Sequence, residues 1–166
     1  RSVGICWSSR FSVPGGPYDR ALEHFNDGVK LRRIERGNAD QRWLFKGYSK
    51  GYLIYAVTAH DGLRYLQSPT DKAYANIVLS EPLVRNKKGK MWNIIGDNLN
   101  SFGFRIYTMF DNGTQLYLHA SVDKNSVELR EYLNCSEQVW YLMLPSRGHF
   151  IYNIPIIGTY SSAMCT

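Results

Sequence analysis

The chain reads as an all-β protein, and three observations carry that reading. Three of its four tryptophans, Trp43, Trp92 and Trp140, lie 49 and then 48 residues apart, with Trp7 outside the series. About twelve positions upstream of each stands a short alternating segment, Val29-Lys30-Leu31, Ile77-Val78-Leu79 or Val127-Glu128-Leu129, and alternation marks a half-buried strand. Downstream of each comes the frame Gly-x-x-Ile-Tyr, beginning at Gly51, Gly103 and Gly148. Self-similarity at a period near fifty residues outranks any single local signal, because it fixes how many copies of one unit must pack together.

Each unit is then justified in order. It opens on Tyr18-Asp19-Arg20, Tyr65-Leu66-Gln67 or Tyr117-Leu118-His119. The last two follow Asp61-Gly62 and Asp111-Asn112-Gly113-Thr114, turn sequences that read as hairpin tips. The Val-x-Leu strand, the tryptophan strand and the Gly-x-x-Ile-Tyr strand complete it. Four strands in each of three repeats, about 12–57, 58–108 and 109–158 with a tail at 159–166, make twelve strands and one β-trefoil domain over 1–166. Such a barrel needs one large apolar residue per unit at equivalent core positions, so the three tryptophans are core residues. A helix over about 19 to 36 competes locally, since Ala21-Leu22-Glu23 and Leu31-Arg32-Arg33 are helix formers in acidic-then-basic order. Gly28 interrupts it, and the repeat decides for strands.

Composition sets the outer bounds. With 166 residues, 44% hydrophobic and 20% charged, the chain can bury a core and is not disordered. No apolar run approaches the ~18 residues that would span a bilayer. Net charge is +6, and residues 1–50 carry ten basic and five acidic residues against ten and nine in the remainder. A basic first third suits sulfated or sialylated glycans, nucleic acid or an anionic surface. The best basic loop, Arg85-Asn86-Lys87-Lys88-Gly89-Lys90, lacks interleaved aromatics, so a nucleic-acid partner is not expected.

Cys6, Cys135 and Cys165 fit no CxxC spacing, which argues against a thiolate zinc site. A closed trefoil brings its ends together, so segments 3–11 and 154–166 are expected to meet and Cys6 to pair with Cys165. Asn112-Gly113-Thr114 and Asn134-Cys135-Ser136 are N-glycosylation sequons. Together with a start at Arg1 rather than Met, they lead to the expectation of a secreted, extracellular chain, processed or lacking its leader.

Nothing in the sequence asks for catalysis. His24, His60, His119 and His149 show no paired-ligand spacing, and no nucleophile elbow, phosphate loop or dinucleotide fingerprint is present. No enzyme activity, catalytic residue, metal or cofactor is expected.

The Gln-x-Trp spacing, intact at Gln41 to Trp43 and Gln138 to Trp140 with Lys90 replacing Gln in the middle unit, resembles the ricin-B-type lectins, as do the segments on either side of it. The resemblance covers roughly Tyr18 to Tyr152 and implies a non-catalytic trefoil with one shallow sugar pocket per unit. Such a pocket uses an Asp in the first strand, an aromatic platform after the Val-x-Leu segment and polar residues at the Gln-x-Trp end. Carboxylate and amide bond to adjacent hydroxyls while a ring covers the sugar's apolar face. By this frame the Asp position falls on Arg20, Gln67 and His119, and the platform position on Arg32, Ser80 and Arg130.

Two candidate pockets follow. In the third unit, His119, Glu128, Arg130, Glu137 and Gln138 offer a hydrogen-bonding site. In the first, Arg20, Lys30, Arg32, Asp40 and Gln41 offer a basic one, and the middle unit has Gly89 and Lys90 at the polar positions. The expected function is a lectin-like carbohydrate-binding module with glycan or glycoprotein partners, as the recognition subunit of a toxin-like assembly or alone. The alternative is a trefoil without sugar sites that binds protein as an inhibitor, structural or storage protein, since tyrosine and arginine also anchor protein interfaces.

Overall fold

The computed structural model describes residues 4–7, 20–35, 37–56, 64–80, 89–96, 103–121, 124–144 and 149–150. Why these segments form strands is visible in their burial: Ser126–Arg130 alternates half-buried and buried, as a strand with one face on the core must. The first unit comprises β1 (Gly4–Trp7), β2 (Arg20–Phe25), β3 (Gly28–Arg33) and β4 (Trp43–Tyr48). The second comprises β5 (Gly51–Ala56), β6 (Tyr65–Gln67), β7 (Val78–Ser80) and β8 (Trp92–Gly96). The third comprises β9 (Phe104–Met109), β10 (Gln115–Ser121), β11 (Ser126–Arg130) and β12 (Tyr141–Leu144), and β13 (His149–Phe150) follows it. This is a β-trefoil.

The barrel is built by antiparallel pairing between units. β4 pairs β5, β8 pairs β9, and β12 pairs β1, which brings the chain's start to the third unit. Links within units are shorter, Tyr52 opposite Trp92 and Phe104 opposite Trp140. Over this barrel sit three hairpins, β2–β3, β6–β7 and β10–β11. They interlock by one repeated bond: the Leu31, Leu79 and Leu129 N–H groups donate to the Asn125, Asp27 and Ala75 carbonyls at 2.9, 2.8 and 3.0 Å.

The tryptophans form the core layer, each fully buried. Each indole N–H donates to a strand carbonyl of its own unit's hairpin, Trp43 to Leu22 at 2.9 Å, Trp92 to Leu66 and Trp140 to Leu118 at 3.0 Å. The bond satisfies the one polar atom of a large buried ring. Ile5, Ile54 and Ile106 fill a second equivalent set, and Leu31, Leu79 and Leu129 a third.

Two features depart from the sequence reading. The strand beside Tyr141–Met143 in the position that β5 and β9 take beside β4 and β8 is β1, with Ile5 opposite Leu142 as Ile54 is opposite Phe45. Among the described residues, the third Gly-x-x-Ile-Tyr copy gives β13, which pairs the end of β12 at Leu144 and Met143. Ile151 and Tyr152 lie outside the described residues, as do the Asp61-Gly62 turn and Cys165. Cys6 is buried in β1 opposite Tyr141.

Candidate functional site

The indole bonds fix which residues are equivalent. Since Trp43, Trp92 and Trp140 reach Leu22, Leu66 and Leu118, the next residues, Glu23, Gln67 and His119, share one position. Cross-strand pairing agrees: Glu23 faces Lys30, Gln67 faces Val78 and His119 faces Glu128. The acid position of the first unit is therefore Glu23, three residues beyond Arg20. Arg20 instead opens β2, opposite Arg33 and Trp7. The hairpins differ in length: Leu22 to Leu31 spans nine positions, Leu66 to Leu79 thirteen and Leu118 to Leu129 eleven. Fixed spacing from the tyrosines could not align them, and Ala21 stands where the other units have Tyr65 and Tyr117.

Glu23 organises the first unit. Its carboxylate is almost wholly buried and accepts from Asn38 Nδ2 at 3.0 Å and from Gln41 Nε2 at 3.3 Å. Arg32 Nε stands 3.7 Å away and Lys30 Nζ 3.9 Å. Lys30 also lies 3.5 Å above the exposed Phe25 ring. Half of the Arg32 side chain is exposed, so a planar cation covers the rim of a buried acid. Asp40 is exposed on the 3₁₀ turn Ala39–Gln41, whose Asn38 cap accepts from the Asp40 N–H at 3.0 Å. The structure thus gathers Lys30, Arg32 and Gln41 and adds Glu23 and Asn38. The cap position before Asp40 would have found Asn38, whereas no fixed spacing marks Glu23.

The two glutamines of the Gln-x-Trp motif are clamps for the loop between the third and fourth strands. Gln138 is fully buried; its Nε2 donates to the Glu131 carbonyl and its Oε1 accepts from the Leu133 N–H, both at 2.9 Å. Arg105 Nη1 adds a donor to the same Oε1 at 3.3 Å. Gln41 repeats the pattern with the Arg33 carbonyl and the Glu35 N–H, again at 2.9 Å. An amide that supplies one donor and one acceptor to a backbone two residues apart fits this role with no polar atom left over. Lys90 takes that place in the middle unit, and burial lowers its pKa.

In the third unit His119 and Arg130 meet at 3.4 Å, Nε2 to Nη1. A guanidinium only donates, so Nε2 accepts and the imidazole carries its proton on Nδ1, which is buried with no hydrogen-bond partner among the described residues. Burial, reinforced by Arg130, lowers the His119 pKa, with Glu137 and Glu128 opposing. Arg130 also reaches across to the second unit: Nη2 donates to the Tyr74 hydroxyl at 3.1 Å, and the guanidinium lies 4.7 Å from the Tyr74 ring centroid. Tyr74, at positive φ and 66% exposed, belongs to the neighbouring unit's loop, so no motif within the third unit announces it. Glu128 pairs with Lys124 at 3.5 Å. The structure therefore joins His119, Glu128 and Arg130, while Gln138 sits beneath in its clamp and Glu137 is half-buried on the 3₁₀ turn Ser136–Gln138. Both sequon asparagines are exposed, Asn112 on the β9–β10 turn and Asn134 before Cys135.

By sequence the chain matches no protein family and no curated protein. By structure it is similar to a designed threefold symmetric protein, ThreeFoil, at 16% identity and TM-score 0.60, covering 86% of this chain and 98% of that one. A ricin B-like lectin from Macrolepiota procera in complex with lactose matches at 16% identity and TM-score 0.65, covering 86% and 94%. A lectin from Polyporus squamosus, bound to a human-type influenza-binding epitope, matches at 14% identity and TM-score 0.60, covering 84% of this chain and 48% of that one. These likenesses show the fold, a β-trefoil.

Proposed function

We propose that this protein is a secreted, lectin-like carbohydrate-binding module that recognises acidic glycans through its first unit. The observation that carries the reading is Glu23: a buried carboxylate held by Asn38 and Gln41 at the acid position of the pocket, with Arg32 at the platform position above it. The carboxylate accepts from a sugar hydroxyl and the Asn38 amide keeps it oriented. The Arg32 plane covers the ring and donates to the ligand's carboxylate or sulfate, a charge-assisted contact stronger than a neutral one. Arginine recurs at the platform position in the third unit as Arg130, which supports the same preference. An array of neutral, sialylated and sulfated glycans tests this. Acidic glycans are expected to bind, with affinity falling about tenfold or more in Glu23→Ala and in Arg32→Ala; an array without hits overturns it.

A second reading, attachment to a protein partner, is favoured by the tyrosine–arginine stacks. Tyr74 and Tyr132 are 66% and 51% exposed, and Arg130 and Arg105 lie 4.7 and 4.8 Å from their ring centroids. Size-exclusion chromatography of the native fluid would show a stable complex that Tyr74→Ala with Tyr132→Ala dissolves.

A further inference from the structure

A cavity of about 360 Å³ lies outside both sites described above, between residues 67–71, at the end of β6 and in the loop after it, and residues 110–112 of the β9–β10 turn. That volume is in the range of small-ligand pockets. Of the three pocket positions of the second unit, Gln67, Ser80 and Lys90, only Gln67 lines it. We propose that this cleft between the second and third units is a binding subsite for a protonated amino sugar.

Its walls are set before any ligand arrives. On one side the Ser68 N–H donates to the Gly89 carbonyl at 2.8 Å, its hydroxyl donates to the Thr70 carbonyl at 2.6 Å, and Thr70 Oγ1 accepts from the Lys72 N–H at 3.2 Å. On the other, the turn is closed by Phe110 N–H to the Thr114 carbonyl and Gly113 N–H to the Phe110 carbonyl, both 2.8 Å. Asn112 Nδ2 donates to Asp71 Oδ2 at 2.9 Å and ties the two rims. A pocket assembled in advance loses little free energy to ordering on binding.

Its chemistry selects the ligand. Asp71 and Asp111 line it and, among the described residues, no lysine or arginine does, although the chain carries a net charge of +6. Asp71 has no cationic partner within ion-pair distance among the described residues, and its bond to Asn112 is one of several acceptor positions on a carboxylate. An ammonium group supplies the cation that Asp71 lacks. The remaining lining exceeds what an amine alone would use: Gln67, Thr70 and Asn112 suit hydroxyls, and Phe110, half-buried against the core, offers an apolar face to a sugar ring.

The cleft shares no residue with the Glu23 pocket, so the two readings fail separately. The full chain, produced in bacteria so that Asn112 carries no glycan, is titrated by NMR with the β-1,4-linked glucosamine disaccharide. Parallel titrations use its N-acetylated counterpart, cellobiose and Nα-acetyl-lysine amide. Expected are saturable shifts confined to the amides of Gln67, Ser68, Thr70 and Asp71 and of residues 110–112 with the amino disaccharide, at least about tenfold weaker in Asp71→Asn and weakening with salt. Asp111→Asn gives a second reading on the same charge, and Glu23→Ala leaves this binding unchanged. Equal binding of the N-acetylated or neutral disaccharide overturns the proposal, as does equal binding of the lysine derivative, indifference to both Asp variants, or no binding.

Discussion

Truncating Gln138 would strand several groups at once, because its amide satisfies the Glu131 carbonyl, the Leu133 N–H and part of Arg105 in a place water does not reach. Leaving buried polar groups unpaired costs more than the bonds themselves contribute. Gln138→Ala is expected to lose about 2–4 kcal/mol in urea unfolding; a loss below ~1 kcal/mol would show that the loop satisfies itself in another way. The glutamine was legible in the sequence, but only as a motif member, and its placement in a sugar pocket came from the resemblance rather than from what its two polar atoms could reach. His119 yields a different kind of expectation. Its pKa is lowered on folding from an ordinary 6.5, so below that pH the unfolded chain takes up a proton that the folded chain resists, and stability falls as pH drops through this range. Urea midpoints measured from about pH 7.5 to about pH 5.5 should decline in the native chain, and His119→Gln should flatten that decline. A slope unchanged in the variant would place its origin elsewhere.

At the scale of elements, the hairpin caps carry the differences between units, and two glycines separate space from backbone conformation. Gly89 has φ +70°, and a Cβ there would stand 2.1 Å from the Ser68 carbonyl oxygen, the neighbour whose N–H it accepts. Gly113, at φ +87°, has nothing within 4 Å of such an atom. Gly113→Ala should therefore cost only the left-handed penalty, about 1–2 kcal/mol. Gly89→Ala adds a clash of backbone against Cβ and should exceed about 3 kcal/mol. Comparable thermal shifts in the two variants would mean that the Ser68 contact yields. The strand content of these hairpins was readable from alternation, whereas their register was not. Asn26, at φ +53°, and Asp27 close β2–β3 in two residues, while the second unit inserts the long loop that carries Asp71 and Tyr74. Unequal loops between equivalent strands hide equivalence from any reading based on spacing, and that displaced the acid position from Glu23 to Arg20.

For the whole molecule, closure of the barrel depends on a strand the repeat did not announce. The frame Ile-Tyr is present at Ile54-Tyr55, Ile106-Tyr107 and Ile151-Tyr152, and the third copy drew the last barrel strand to the chain's end. The position belongs to Gly4–Trp7, where Ile5-Cys6 keeps the isoleucine and replaces the tyrosine, so half of the signature is missing at the place that completes the fold. Geometry makes Ile5, Ile54 and Ile106 equals: each is fully buried and each lies opposite the middle of its partner strand, at Leu142, Phe45 and Ile94. A β1 that only lay against the barrel's surface would contribute little. A β1 that closes the barrel instead creates, on truncation, the same cavity as its counterparts. Ile5→Ala, Ile54→Ala and Ile106→Ala are each expected to cost about 2–5 kcal/mol in denaturant unfolding, agreeing to within about 1 kcal/mol of one another. Hydrogen exchange should agree, with the amides of β12 that face β1 opening only with the molecule as a whole. If Ile5→Ala proves nearly neutral while the other two do not, β12 keeps its barrel place by another partner, and the threefold core is closed from elsewhere in the chain.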